Sequence, residues 1–157
     1  MGVEIERKYL VNKNNWDKLI KDDRHFIKQG YIINSPGKTI RVRLTDNKGY
    51  ITIKGVSTGA SRPEFEYEIP EDDAKQLLDN FCTSAISKIR NNIIYNGKFW
   101  QVDEFLEDNE GLIIAEIELA DIDEAFDLPV WITKEVTGEE KYYNSYLSVH
   151  PFKEWRK

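Results

Sequence analysis

The sequence predicts an α+β protein that is mainly antiparallel β, with eight or nine strands closing around a polar interior and short helices packed outside. Three observations predict it. Strand-length segments recur, joined by turns too short for parallel crossovers. Within them apolar and charged residues alternate, which is the period of a strand with two unlike faces. The charged positions also keep one sign per strand: Glu4/Glu6, Arg41/Arg43, Glu64/Glu66 (continuing to Glu68), Lys88/Arg90 and Glu116/Glu118. Two like charges about 7 Å apart repel by roughly 0.6 kcal/mol in water, and about four times that at an effective dielectric of 20. A solvated face would mix its signs, so unmixed acidic and basic pairs fit an interior shared by metal ions and a polyanion. Closure also removes exposed strand edges, leaving the apolar outer faces to be covered by helices or a partner subunit.

The elements follow in order. Val3, Ile5 and Tyr9 alternate with Glu4, Glu6 and Lys8, which gives a first strand. Asn12 to Ile20 begins with cap-type residues and spaces Trp16, Leu19 and Ile20 as a short amphipathic helix. Strands are expected at Lys28–Asn34, Lys38–Thr45 and Gly49–Gly55, with Ser35-Pro36-Gly37 and Asp46-Asn47-Lys48-Gly49 as turns. Arg62–Ile69 is a further strand. Pro70 and the acidic run Glu71-Asp72-Asp73 then open a helix to about Phe81, with carboxylates at its positive end. Ile86–Tyr95, Lys98–Glu107 and Leu112–Ala120 complete the main strands, the first two joined by the hairpin pair Asn96-Gly97. An acidic helix-like stretch at Asp123–Phe126, an extended piece at Trp131–Thr137 and short helices at Tyr142–Leu147 and Pro151–Trp155 end the chain.

At 157 residues and 40% hydrophobic, with no linker, repeat or low-complexity segment, residues 1–157 form one domain with a sizeable core. A net charge of −6 argues against general nucleic-acid binding, while the grouped cations leave room for a small basic pocket. Cys82 cannot form an internal disulfide and reads as a small apolar residue. No basic-then-apolar leader or membrane-length apolar run is present, so a cytoplasmic location without a membrane partner is expected.

Glu4-Ile5-Glu6-Arg7-Lys8 carries the most chemistry. Alternate strand residues lie roughly 6.5 Å apart on one face, a spacing that lets two carboxylates share a hydrated divalent cation while the lysine holds an anion. A solvated strand face is the plain alternative for this pentapeptide alone. No glycine-rich phosphate loop and no nucleophile triad is present. His25 and His150 have no second metal-type ligand at useful spacing and are expected at the surface; Lys134 or Glu135 could line the interior.

The ordered set Glu4-x-Glu6-x-Lys8, Arg41-x-Arg43, Lys54, Glu64-x-Glu66, Lys88-x-Arg90, Asp103 and Glu116-x-Glu118 resembles the triphosphate tunnel metalloenzymes, the CYTH superfamily of class IV adenylyl cyclases and thiamine triphosphatase. Arg62–Pro70 and the stretch from Trp131 to Asn144 look like its short bacterial members. The resemblance implies an eight-stranded closed tunnel barrel that binds a triphosphate and divalent metal. It implies Lys8, Arg41, Arg43, Lys54, Lys88 and Arg90 on phosphate oxygens, and Glu4, Glu6, Glu66, Asp103, Glu116 and Glu118 at Mg2+ or Mn2+. Glu4, Glu6 and Lys8 would be the catalytic group. Asp103 is preferred to its neighbour Glu104, since only strand register decides between them; Glu64 and Glu68 could orient the arginines. The implied activity is hydrolysis of tripolyphosphate or an organic triphosphate by water attacking the terminal phosphoryl group. A class IV-type cyclase and a non-catalytic polyphosphate-binding module are the alternatives. A small-molecule triphosphate is the expected partner, and a homodimer is compatible with the outward aromatic faces.

Overall fold

A computed structural model describes residues 2–155. Its strands are β1 (Val3–Val11), β2 (Arg24–Ser35), β3 (Lys38–Thr45), β4 (Lys48–Lys54), β5 (Ser61–Ile69), β6 (Ser84–Tyr95), β7 (Lys98–Phe105), β8 (Ile113–Glu118) and β9 (Ile132–Glu135). The helices are α1 (Lys13–Asp17), α2 (Glu71–Asn80) and α3 (Asn144–Leu147), with 3-10 turns at Glu107–Asn109, Glu140–Tyr142 and Phe152–Glu154. Every strand pairs antiparallel with its neighbours in the order β5-β4-β3-β2-β6-β7-β8-β1. β5 then rejoins β1 through Val3↔Pro63, Glu4↔Arg62 and Ile5↔Ser61, closing an eight-stranded barrel. β9 is an additional strand, paired with the far end of β1 at Tyr9 and Val11.

The turns explain the register. Asp46 and Asn47 have φ of 51° and 65°, Asn96 and Gly97 of 48° and 76°, so both two-residue loops have the doubly left-handed geometry that suits strand twist. β2 starts four residues before the expected Lys28. The first helix is shorter than expected: Asn12 caps it by accepting from the Asn15 amide, Trp16 is buried, and Ile20 is 86% exposed beyond its end. The expected acidic helix at Asp123–Phe126 is not formed. Its carboxylate is used elsewhere, Glu124 accepting from the Ala120 amide and from Lys98 Nζ, while Phe126 packs edge-on against Tyr9 and Trp100.

Two apolar clusters hold the barrel. The first lies outside β1, β7 and β8, where Tyr9, Trp16, Trp100, Val102, Ala115, Ile117 and Trp131 are buried under α1 and the segment leading to β9. The second lies against the inner side of β6, β7 and β8 toward one end of the barrel: Ile86, Phe105 and Ile114 face inward against Val136, Tyr142 and Leu147 of the returning C-terminal segment. On another outer face α2 sits close on β4 and β2. A Cβ at Gly49 would stand 2.5 Å from Ala74 Cβ, and one at Gly30 would stand 2.8 Å from Cys82 Sγ, so glycine is what permits this approach. No helix among the described residues is long and apolar enough to cross a membrane.

Candidate active site

Alternation sends Glu4, Glu6 and Lys8 of β1 inward, while Arg7 turns outward to Glu135 of β9, 3.1 Å away. The cross-strand register then assembles the rest of the interior. Lys8 stands opposite Glu116, Arg90 opposite Asp103, Arg41 opposite Thr52 and Lys54 opposite Glu64. Together they enclose a cavity of about 220 Å³. At one end it adjoins a space of about 290 Å³ bounded by His25, Asp46 and Tyr50, sharing Arg43, Glu66 and Arg90 with it. At the other end, past Thr39, Arg62 and Tyr143, lies a vestibule of about 620 Å³ between the β2–β3 turn and the C-terminal segment. β3 runs from the vestibule at Lys38 to the smaller mouth at Thr45, so the cavity is the middle of a tunnel.

The tunnel has an acidic wall and a basic wall. On β1 and β8, Lys8 Nζ lies 2.8 Å from Glu116 and 3.6 Å from Glu6, and Lys54 Nζ reaches Glu4 at 3.0 Å and Glu64 at 3.5 Å. Burial raises the Glu6 carboxyl, and the adjacent Glu116 charge adds to it, pushing Glu6 up to about 7. Burial opposes ionisation of Glu116 too, but Lys8 and Arg90 outweigh it and hold that carboxyl well below the usual range. On the basic side Arg90 grips Asp103 through two parallel bonds of 2.8 Å, and Lys88 Nζ reaches the same carboxylate at 2.8 Å. Burial, followed by the Arg41 and Arg90 charges, depresses Arg43, whose Nε donates to Gln29 Oε1 at 2.9 Å. Arg41 donates to Thr52 and Glu66, and its buried Nε has no hydrogen-bond partner among the described residues. That orphaned donor is the chemistry an anion's oxygen would satisfy.

The six expected phosphate-binding residues Lys8, Arg41, Arg43, Lys54, Lys88 and Arg90 all line the cavity, as do Glu4, Glu6, Glu66, Glu116 and Glu118. Asp103 points inward, as preferred over Glu104, which lies outside and accepts from Trp16, Arg24 and Asn91. Both Asp103 oxygens are nevertheless taken by Lys88 and Arg90, and the residue is 1% exposed behind them. Glu64 pairs with a lysine, and it is Glu66 that orients an arginine, Arg41. Glu68 and Lys134 are exposed and line none of the three spaces, and Glu135 faces Arg7 on the outside. His150 is exposed and stacks on Tyr146, whereas His25 is clasped between Asp23 and Asp46.

Residues missed from sequence complete the site. Gln29 and Tyr31 occupy alternate inward positions of β2, a period-2 polar pattern that could have been read. Arg62 stands two residues before Glu64 on the same face and could also have been found. Asn144 carries no such signal: its Oδ1 accepts from Lys88 Nζ at 2.7 Å and from Gln29 Nε2 at 3.2 Å only because the C-terminal segment folds back over the barrel.

A family model, the CYTH domain, matches residues 2–148 of this barrel. The chain belongs to the CYTH family. It is 46% identical to an inorganic triphosphatase of Acetivibrio thermocellus, over 99% of both chains. The fold is shared with the solved inorganic triphosphatase NE1496, at a TM-score of 0.64 and 24% identity, over 92% of this chain and 93% of that one. It is shared also with HpAC1 from Hippeastrum, an adenylyl cyclase candidate described with a dominant triphosphatase activity. There the TM-score is 0.57 and identity 14%, over 77% of this chain and 80% of that one.

Proposed function

We propose that this CYTH chain hydrolyses a triphosphate, with inorganic tripolyphosphate as the first substrate, in the presence of magnesium or manganese. The observation that carries the reading is a closed tunnel whose lining sets Lys8, Arg41, Arg43, Lys54, Arg62, Lys88 and Arg90 against Glu4, Glu6, Glu64, Glu66, Glu116 and Glu118. The near-identical length and 46% identity to an inorganic triphosphatase support it.

Charge balance gives each wall a role. Seven cations against six carboxylates leave the lining close to neutral. A triphosphate brings about four negative charges, so its binding calls for one or two divalent cations as well. The donor set fits them: Glu4, Glu6, Glu116 and Glu118 are hard oxygen donors grouped on β1 and β8, where burial and then the Glu116 charge push Glu6 up. Among the described residues no three carboxylates converge into a finished metal cluster, each of the innermost being turned toward a lysine or arginine. A divalent ion bound there would neutralise phosphate oxygens and acidify water. Arg41 and Arg43 bind the phosphoryl oxygens with their guanidinium planes, while Arg90, whose fork is held by Asp103, joins Lys8, Lys54 and Lys88 as a fixed charge. Glu6 takes up the proton released by the attacking water, and Lys8 balances the charge that develops at the terminal phosphoryl group. In this assignment Asp103 and Glu66 serve as counterions that hold Lys88, Arg90 and Arg41 in place.

The test is product analysis with tripolyphosphate and ATP, with and without magnesium or manganese. Orthophosphate with pyrophosphate from tripolyphosphate, lost on chelation, is the expected result. Cyclic AMP as the dominant product from ATP, with tripolyphosphate left intact, would overturn it. Glu116→Gln keeps the side chain's size and removes its charge, and is expected to lower turnover at limiting metal by roughly a hundredfold.

A further inference from the structure

Arg62 and Arg43 stand apart from the other inward cations. Lys8, Arg41, Lys54, Lys88 and Arg90 each lie within ion-pair distance of a tunnel carboxylate. Among the described residues neither is in such a pair, but Arg43 lies toward the smaller mouth and gives its Nε to Gln29, whereas Arg62 lies at the vestibule. The Arg62 Nε and Nη2 donate at 3.2 and 3.1 Å to a single backbone carbonyl, that of Gly55, and its guanidinium carbon lies 5.6 Å from the centre of the Tyr143 ring. A guanidinium has five N–H groups, so this anchoring fixes the plane and leaves three donors unspent. A carbonyl offers no net charge, and among the described residues no carboxylate lies within ion-pair distance of the guanidinium, although Glu4 is its cross-strand neighbour. Among the described residues Arg62 is also the one guanidinium that borders both the tunnel and the vestibule. The opposite mouth is less than half the vestibule's size, and His25 and Asp46, which are in contact, stand in its rim.

We propose that Arg62, backed by Tyr143, clamps the end of the triphosphate chain that remains at the vestibule, and that substrate enters through this mouth. The inference rests on the triphosphate reading above. The tunnel cations inside it hold the leading phosphates; the planar fork of Arg62 takes the oxygens of the trailing one. Arg62 is then a specificity residue for chain length: with the leading phosphates held by the cations deeper in the tunnel, only a third phosphate presents its oxygens to Arg62.

Steady-state hydrolysis of tripolyphosphate by Arg62→Ala and Arg62→Lys, with pyrophosphate as a competitive probe, tests this. Arg62→Ala is expected to raise KM for tripolyphosphate by roughly ten- to a hundredfold with kcat little changed. Arg62→Lys, which keeps charge without the fork, should fall between the two and decides alone if the alanine variant does not fold. The inhibition constant of pyrophosphate should stay that of the wild type. An unchanged KM in both variants, or an equal loss of affinity for pyrophosphate, would overturn the clamp. If the wild type fails to hydrolyse tripolyphosphate, the parent reading fails. Calorimetric binding of tripolyphosphate to wild type and variants then still judges Arg62 by the same ratio.

Discussion

Two layers of one barrel interior make the most instructive comparison. On four adjacent strands the inward side chain changes from ionic to apolar within two residues: Arg90 and Lys88 give way to Ile86, Asp103 to Phe105, Glu116 to Ile114, and Lys8 to Leu10. The ionic layer is held by cross-strand pairs and borders the tunnel; the apolar layer closes on Val136, Tyr142 and Leu147 as a plug. The plug supplies burial energy. Buried ion pairs roughly cancel their own desolvation and contribute little net stability. Work and stability are therefore stacked along one axis, and substitutions in the two layers should separate them.

Asp103→Asn should have the largest effect, because it strands Lys88 and Arg90 without their counterion in a fully buried site. Losing one partner of such a group costs about 3–5 kcal/mol, read as a lowered midpoint in denaturant. Its pH behaviour sharpens the point. Burial opposes ionisation of Asp103, but Arg90 and Lys88 lower its carboxyl to about 2 from the ordinary 3.8. The stability tied to this shift is complete above the unfolded value and disappears as pH falls through the folded one. The asparagine variant should lack this acid-side loss; an identical acid profile in both proteins would break the assignment of Asp103 as counterion.

Leu147→Ala probes the other layer. The side chain is fully buried in the plug, and its truncation should cost about 3 kcal/mol. Its folded molecules should retain their turnover of tripolyphosphate, unlike those of Glu116→Gln. Equal loss of kcat in Leu147→Ala, measured well below its melting temperature, would show that the layers are not separable.

The smallest expected effect is at the far mouth. Hydrogen bonding to Asp23 raises the His25 imidazolium above its ordinary 6.5, and Asp46 contributes to the same shift. A raised histidine stabilises the fold below its unfolded value, and that contribution is lost as pH rises through the folded one. Thermal midpoints at low salt should therefore decline slightly on passing above neutral pH. His25→Gln should flatten that slope, and high salt should do the same, since the site is partly exposed. A slope unchanged in the variant would remove His25 as its source.

Much of this was legible from local patterns. The strand period, the hairpin pairs and the one-sign charge pairs place β3, β4, β6 and β7 within a few residues and all six expected phosphate-binding cations on the tunnel lining. Arg62, Gln29 and Tyr31 follow the same inward period, but neither a lone cation nor neutral polar residues stand out as a like-charge pair does. The helix expected at Asp123–Phe126 failed for a reason outside that segment, since Glu124 and Phe126 are claimed by Lys98 and by the outer aromatic cluster.

What the sequence determined by itself is which side chains share a face, because alternation is a property of one strand and needs no partner. What only the tertiary structure decided is which polar groups meet. Lys8 with Glu116, Lys54 with Glu4 and Lys88 with Asn144 are joined across 108, 50 and 56 positions by register, closure of β5 on β1, and the return of the C-terminal segment. A shift of one residue in register would turn every such side chain to the opposite face.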